Sequence, residues 1–167
     1  MEIKEAITTL EANPPFIEWR SGNPHHYFSY AMKISDLNAD EGWQIGFYSK
    51  ESGKITSFRM SKDRIELMPE EEVFKEHDRH IEGIETESLK VDYGEAVSKA
   101  KDFIKKTYPH DSEQKTIAIL QNIEKLGLVW NFTFVTHSFK TINIKVDASS
   151  GEIKDHKIDS IFSFRQE

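Results

Sequence analysis

The chain has 167 residues, of which 37% are hydrophobic and 31% charged, with a net charge of -7. That length corresponds to one domain or two small ones packed together, with enough apolar content for a core. It has no cysteine, which excludes a disulfide framework, a thiolate nucleophile and cysteine-ligated zinc.

The opening Met1-Glu2-Ile3-Lys4-Glu5 lacks the basic and then apolar run of a signal peptide. No stretch approaches the ~18 apolar residues of a membrane span. The expected setting is cytoplasmic, with no membrane contact, although a chain already trimmed of an export signal would look the same. A first helix is predicted from Ile3 to Leu10, because Ile3, Ala6, Ile7 and Leu10 form one apolar stripe at helical spacing. Asn13-Pro14-Pro15 stops it, since proline lacks the amide donor and clashes with the preceding turn. A short strand is predicted at Phe16-Ile17-Glu18-Trp19. Phe28, Tyr30, Met32 and Ile34 then alternate with Ser29, Ala31 and Lys33, and Trp43, Ile45 and Phe47 alternate with Gln44 and Gly46. Alternation at period two places one set on a core face. Lys50 to Gly53 reads as a turn and Ile55 to Met60 as the return strand.

Residues 61–91 read as a connector. Within it, residues 66–87 hold nine acids and two bases, so this segment carries the whole charge imbalance. That argues against a general nucleic-acid-binding surface. Pro69-Glu70-Glu71-Glu72 suits a helix start and predicts a short acidic helix near 70–80, with an extended segment from Ile81 to Lys90. A second long helix is expected from Asp92 to Tyr108, with Val97, Ala100, Ile104 and Tyr108 as its stripe and Pro109 as its stop. Four strands follow, near 115–122, Trp130 to Phe134, Ile142 to Val146 and Ile153 to Ile158. Asp147 to Gly151 is the turn before the last.

The two halves match in order. Glu5-Ala6-Ile7 is paired with Glu95-Ala96-Val97, Phe28-Tyr30-Met32 with Trp130-Phe132-Phe134, Trp43-Ile45-Phe47 with Ile142-Ile144-Val146, and Ser52-Gly53-Lys54-Ile55 with Ser150-Gly151-Glu152-Ile153. On this matching the first turn is one residue longer. The fold expected is α+β. It consists of two tandem units, residues 1–60 and 92–167, each a helix packed on an antiparallel sheet of about four strands. The acidic connector 61–91, with its short helix, joins them.

From Trp130-Asn131-Phe132-Thr133-Phe134 through Ile144-Lys145-Val146-Asp147-Ala148-Ser149-Ser150-Gly151-Glu152-Ile153, the chain resembles the PepSY domain family. The likeness covers about 92–159 well and 3–60 more weakly, where Tyr48-Ser49 replaces Asp147-Ala148. The resemblance implies a non-catalytic module of a kind that accompanies secreted peptidases and for which peptidase inhibition or chaperoning has been proposed. The tandem helix-plus-sheet arrangement is also similar to the beta-lactamase inhibitor protein architecture, an analogy of fold alone.

Chemistry-bearing patterns are sparse. His77-Asp78-Arg79-His80 places histidines at i, i+3, where one helix face could chelate a metal with Glu76 or Asp78. A structural zinc needs four ligands, no second pair is present, and an exposed charged linker is the plainer reading. His25-His26 reads as a loop entering a strand. The 29 acids nominate no acid–base pair. No Gly-x-Ser-x-Gly, His-Glu-x-x-His, Gly-x-Gly-x-x-Gly or phosphate loop occurs. Lys99, Lys101, Lys105 and Lys106 read as a solvated helix face, or as partners of the acidic connector. Asn131-Phe132-Thr133 matches a glycosylation sequon on an outward-facing position and is read as chance. Trp19, Trp43 and Trp130 are mostly core. No catalytic, cofactor-binding or metal-ligating residue is therefore assigned, and no cofactor. The expected function is a non-enzymatic binding or inhibitory module for a peptide or peptidase-type partner. The alternatives are a small-ligand or lipid-binding protein with an aromatic pocket between helix and sheet, and an enzyme with an unrecognised histidine–carboxylate site.

Overall fold

The computed structural model describes residues 1–73 and 80–162. Helix α1 (Ile3–Glu11) buries Ile3, Ala6 and Leu10 along the expected stripe. Pro14 and Pro15 end it, but they also start α2 (Pro14–Gly22). At the first turn of a helix the missing N–H is one that would have no partner, and proline's φ is already helical. The strand expected at Phe16–Trp19 is thus helical. The long helix α3 (Tyr93–Thr107) buries Ala96, Ala100 and Ile104, and the side chain of its N-cap Asp92 accepts from the Tyr93 N–H.

The strands are β1 (Tyr27–Asp36), β2 (Asp40–Tyr48), β3 (Lys54–Ser61), β4 (Arg64–Leu67), β5 (Glu71–Glu72), β6 (Glu113–Ile123), β7 (Gly127–Thr136), β8 (Lys140–Asp147) and β9 (Ile153–Ser160). They form one antiparallel sheet in the order β4-β3-β2-β1-β6-β7-β8-β9, with β5 also paired to β3. The two strands that start each half, β1 and β6, meet in the middle, in register from Tyr30↔Gln121 to Asp36↔Lys115. The protein is therefore α+β with an antiparallel sheet, and that sheet is continuous.

Several local expectations change. The connector expected at 61–91 contributes β4 and β5 to the sheet, so strand pairing runs past residue 60. Glu71 and Glu72 pair with Ile55 and Lys54 of β3 and do not open a helix. The unpaired edge of β3 offers backbone partners that outweigh the helix-start signal. Residues 74–79 of the expected acidic helix lie outside the described residues. A short 3-10 turn at Thr86–Ser88 interrupts the expected extended segment.

The strand matching also shifts. By place in the sheet, Trp43 of β2 corresponds to Trp130 of β7, since each strand is second from the middle. The sequence matching had instead set Trp130 against β1. On β1 itself, Ser29, Ala31 and Lys33 are buried while Tyr30, Met32 and Ile34 are half-buried on the opposite face. A register shift between Phe28 and Tyr30 changes the phase of the strand. The turns closed by Ser49 with Lys54 and by Asp147 with Glu152 enclose equal numbers of residues. The one-residue difference in the matching therefore lies ahead of the turn, between Trp43 and Ser49 in one half and Ile142 and Asp147 in the other; the bulge in β9, where Lys145 opposes Asp155 but Val146 opposes Ile153, comes after it.

The alternation on β7 and β8 holds as expected. Trp130, Phe132, Phe134, Ile142, Ile144 and Val146 are all fully buried in one core with the helices. At its centre the Trp43 and Trp130 rings lie 6.0 Å apart, with Tyr93 packed edge-on to both. Each indole donates to a backbone carbonyl just before a helix: Trp43 Nε1 to the Met1 oxygen at 3.0 Å, and Trp130 Nε1 to the Val91 oxygen at 2.8 Å. The helix starts cap one another as well. Glu2, N-cap of α1, accepts from the Gly94 N–H of α3 at 3.2 Å, and Asp92 accepts from the Ile3 N–H of α1 at 3.4 Å. Both carboxylates occupy the positive ends of helix dipoles.

Two outcomes are expected. Phe132→Ala should cost about 3–5 kcal/mol in a urea melt, whereas Ile119→Ala on the opposite, half-buried face should cost less, about 1–2 kcal/mol. The second concerns Glu2, whose pKa is raised by burial and by the bond to, and charge of, Asp92. A carboxyl with a raised folded pKa destabilises the fold above that pKa, and the penalty disappears as the pH falls through it. Glu2→Gln, which keeps an acceptor for Gly94, should raise the melting temperature at pH 7. The gain should shrink toward zero once the pH passes below the ordinary glutamate value. An equal shift at pH 7 and pH 4 would contradict this account.

Candidate functional site

Of the residues singled out from sequence, His77, Glu76 and Asp78 lie outside the described residues, and His80 is exposed. Among the described residues no three His, Cys, Asp or Glu side chains gather in a metal-holding group. His25 is exposed. His26 packs edge-on to Trp19, its ring Nε2 is buried without a hydrogen-bond partner among the described residues, and burial pushes its pKa down. Lys99 pairs with Glu95 on its own helix and Lys101 with Glu113 of β6, so these two lysines brace α3. Asn131 accepts from the Asn143 side chain on the outward face of the sheet.

The Asp147 segment is a structural device. Asp147 Oδ1 accepts from the backbone N–H groups of Ser149 and Ser150 and from the Ser149 hydroxyl. Gly151 sits at φ +77, where a side chain would be strained. Burial works to raise the Asp147 pKa, but those hydrogen bonds and Lys154 outweigh it and hold the pKa low. The turn presents the Ala148 carbonyl to the N–H groups of Lys90 and Val91, so it docks the approach to α3.

Two surfaces remain with chemistry to offer. The first is the sheet face opposite the helices. At its centre Met32 pairs across to Ile119 and Ile34 to Ile117, and all four are half-buried. Tyr30 lies flat over Gly46, where a Cβ would sit 2.0 Å from its ring. Its hydroxyl is held by Ser57 and Gln44 at 2.8 Å each. Gln44 and Arg59 border a small depression of about 70 Å³ beside Met32 and Ile34. No described helix lies on this face.

The second is a cleft of about 580 Å³ on the helix side, between α1 and β1–β4. Thr9 and Asn13 line one wall, Trp43, Met60 and Ile65 supply apolar surface, and Lys33 and Asp40 line it too. Lys33 is only 8% exposed, pairs with Asp40 at 2.9 Å, and holds its ammonium 5.3 Å from the Trp43 ring centre and 5.1 Å from that of Tyr93. Burial works against the Asp40 carboxylate. The hydrogen bonds from Lys33 and the Gly42 N–H, with the lysine charge, outweigh it and lower the pKa. One signal for this site is legible in the sequence, a lysine inside an otherwise apolar alternation from Phe28 to Ile34. The phase of β1 hid which face the lysine joined.

No protein-family model matches the chain. No curated protein matches it. No described helix is long and apolar enough to cross a membrane. Among solved structures the chain is similar to a "putative lipoprotein" from Clostridium difficile 630, at 10% identity and a TM-score of 0.58 over 87% of this chain and 90% of that one, a likeness of fold alone.

Proposed function

We propose that the protein is a non-enzymatic binding module that engages a protein or peptide partner through the open face of its sheet. The observation that carries this reading is the stripe of Met32, Ile34, Ile117 and Ile119 on the two central strands, half-buried and with no described helix over it. Apolar side chains gathered on an exposed face are the usual mark of a macromolecular contact. Gln44, Arg59, Asn131 and Thr133 border the stripe in register and would supply the polar rim that such contacts use. Tyr30, pinned over Gly46 by two hydrogen bonds, loses little side-chain freedom when covered, which favours it as an anchor.

The two halves are, on this proposal, copies of one unit of helix followed by a four-strand meander. Support comes from the reciprocal caps of Glu2 and Asp92 and the twin bonds of Trp43 and Trp130. The PepSY resemblance belongs to the same reading, with Asp147–Gly151 as its turn. A cytoplasmic setting is part of the same proposal. The named lipoprotein neighbour would instead suit an anchored domain outside the cytoplasm, and cell fractionation distinguishes the two.

The test uses the purified protein and a Met32→Lys/Ile119→Lys variant, which keeps the core but charges the stripe. The wild type should retain a defined partner from extract of the source cells, with hydrogen-exchange protection on β1 and β6, and the variant should lose at least tenfold in affinity. Protection confined to the helix side, or turnover by the purified protein on a hydrolase panel, would overturn the reading.

A further inference from the structure

The cleft between α1 and β1–β4 has the size of a small-molecule site. Its volume of about 580 Å³ lies within the roughly 300–1,000 Å³ range of drug-sized ligand pockets. Its lining combines an indole and two aliphatic side chains with one nearly buried cation, the composition of a site for a ligand with an apolar body and a polar head.

The chemistry of Lys33 decides the head group. An ammonium has three N–H donors and no acceptor. Asp40 is the hydrogen-bonding partner of Lys33 among the described residues, and the Trp43 and Tyr93 rings face the charge without accepting a conventional hydrogen bond. Donor capacity is therefore left over on a group that is 8% exposed, where unused donors are costly. Asp40, at 59% exposed, is largely in solvent, where water and salt screen its charge. The lining also holds Lys62, Arg64 and Asp63, so its cationic side chains outnumber its carboxylates.

We propose that this cleft binds a small organic monocarboxylate. The carboxylate takes the free donors of Lys33 as charge-assisted hydrogen bonds, and its apolar body lies against Trp43, Met60 and Ile65. The site is separate from the sheet face, and neither proposal depends on the other.

The experiment is calorimetric titration of the full chain with 4-phenylbutyrate and, in parallel, its neutral amide. The carboxylate should bind saturably at one per chain and at least tenfold more tightly than the amide. Lys33→Met, which keeps the length and packing of the side chain, should erase that preference. Ile65→Trp, which fills the cleft, should weaken both ligands at least tenfold while leaving the circular dichroism spectrum unchanged. Should Lys33→Met fail to fold, the amide comparison and Ile65→Trp still decide. Equal affinity for acid and amide, no saturation up to about 10 mM, or unchanged binding in Ile65→Trp would overturn the proposal.

Discussion

Everything else in this fold depends on how two helix starts are brought together over one pair of indoles. A helix N-terminus leaves amide donors unpaired and carries partial positive charge. Here each start is served partly by the other: Glu2 of α1 reaches Gly94 of α3, and Asp92 of α3 reaches Ile3 of α1. Beneath them Trp43 and Trp130 are in contact, each tied to the residue preceding a cap. Neither half can move its helix without breaking a bond that belongs to the other. The arrangement also brings two carboxylates close together, and burial with the Asp92 charge raises the Glu2 pKa. The junction is thus held by capping at some electrostatic cost.

That junction determines which faces are used. With α1 and α3 anchored over the middle of the sheet, β1 and β6 can pair in register and close one sheet. The helices α1, α2 and α3 then cover the same face, and the core apolar residues of all the long strands point there. The opposite face keeps the outward members of the alternation. On β7 and β8 these are polar, such as Asn131, Thr133 and Asn143, linked to one another by hydrogen bonds. On β1 and β6 they are Met32, Ile34, Ile117 and Ile119. The contrast between the two regions is why the centre of the face, and not the whole of it, is the proposed contact.

Much of the architecture was legible in sequence wherever a single periodicity ruled. The stripe of α1 and the alternation of β7 and β8 describe the observed core residue by residue. Legibility failed where two tendencies competed. Pro14-Pro15 both ends one helix and starts another, and the aromatic run after it has the composition of a strand but lies in α2. The acids at 70–72 have the composition of a helix start, yet the free edge of β3 claimed Glu71 and Glu72. A bulge did the most damage. The shift after Phe28 moved Tyr30, Met32 and Ile34 to the outer face. The candidate surfaces were hidden by that same phase error, since Met32 and Lys33 were each expected on the face the other occupies.

Lys33 connects the cleft to the junction. A buried lysine is expensive unless its charge is compensated. Asp40 supplies one partner, and the rings of Trp43, from the first half, and Tyr93, from the second, face the charge without taking up its remaining donors. Those rings are the ones that pack on Trp130 at the junction. The cleft is therefore not a separate attachment to the fold: its cation rests on the aromatic contact that joins the halves. A ligand drawing the ammonium outward would weaken its hold on both rings, and one completing its hydrogen bonds in place would strengthen it. Only the second kind can bind without a cost to the junction. This favours a head group small enough to approach Lys33 where it already lies.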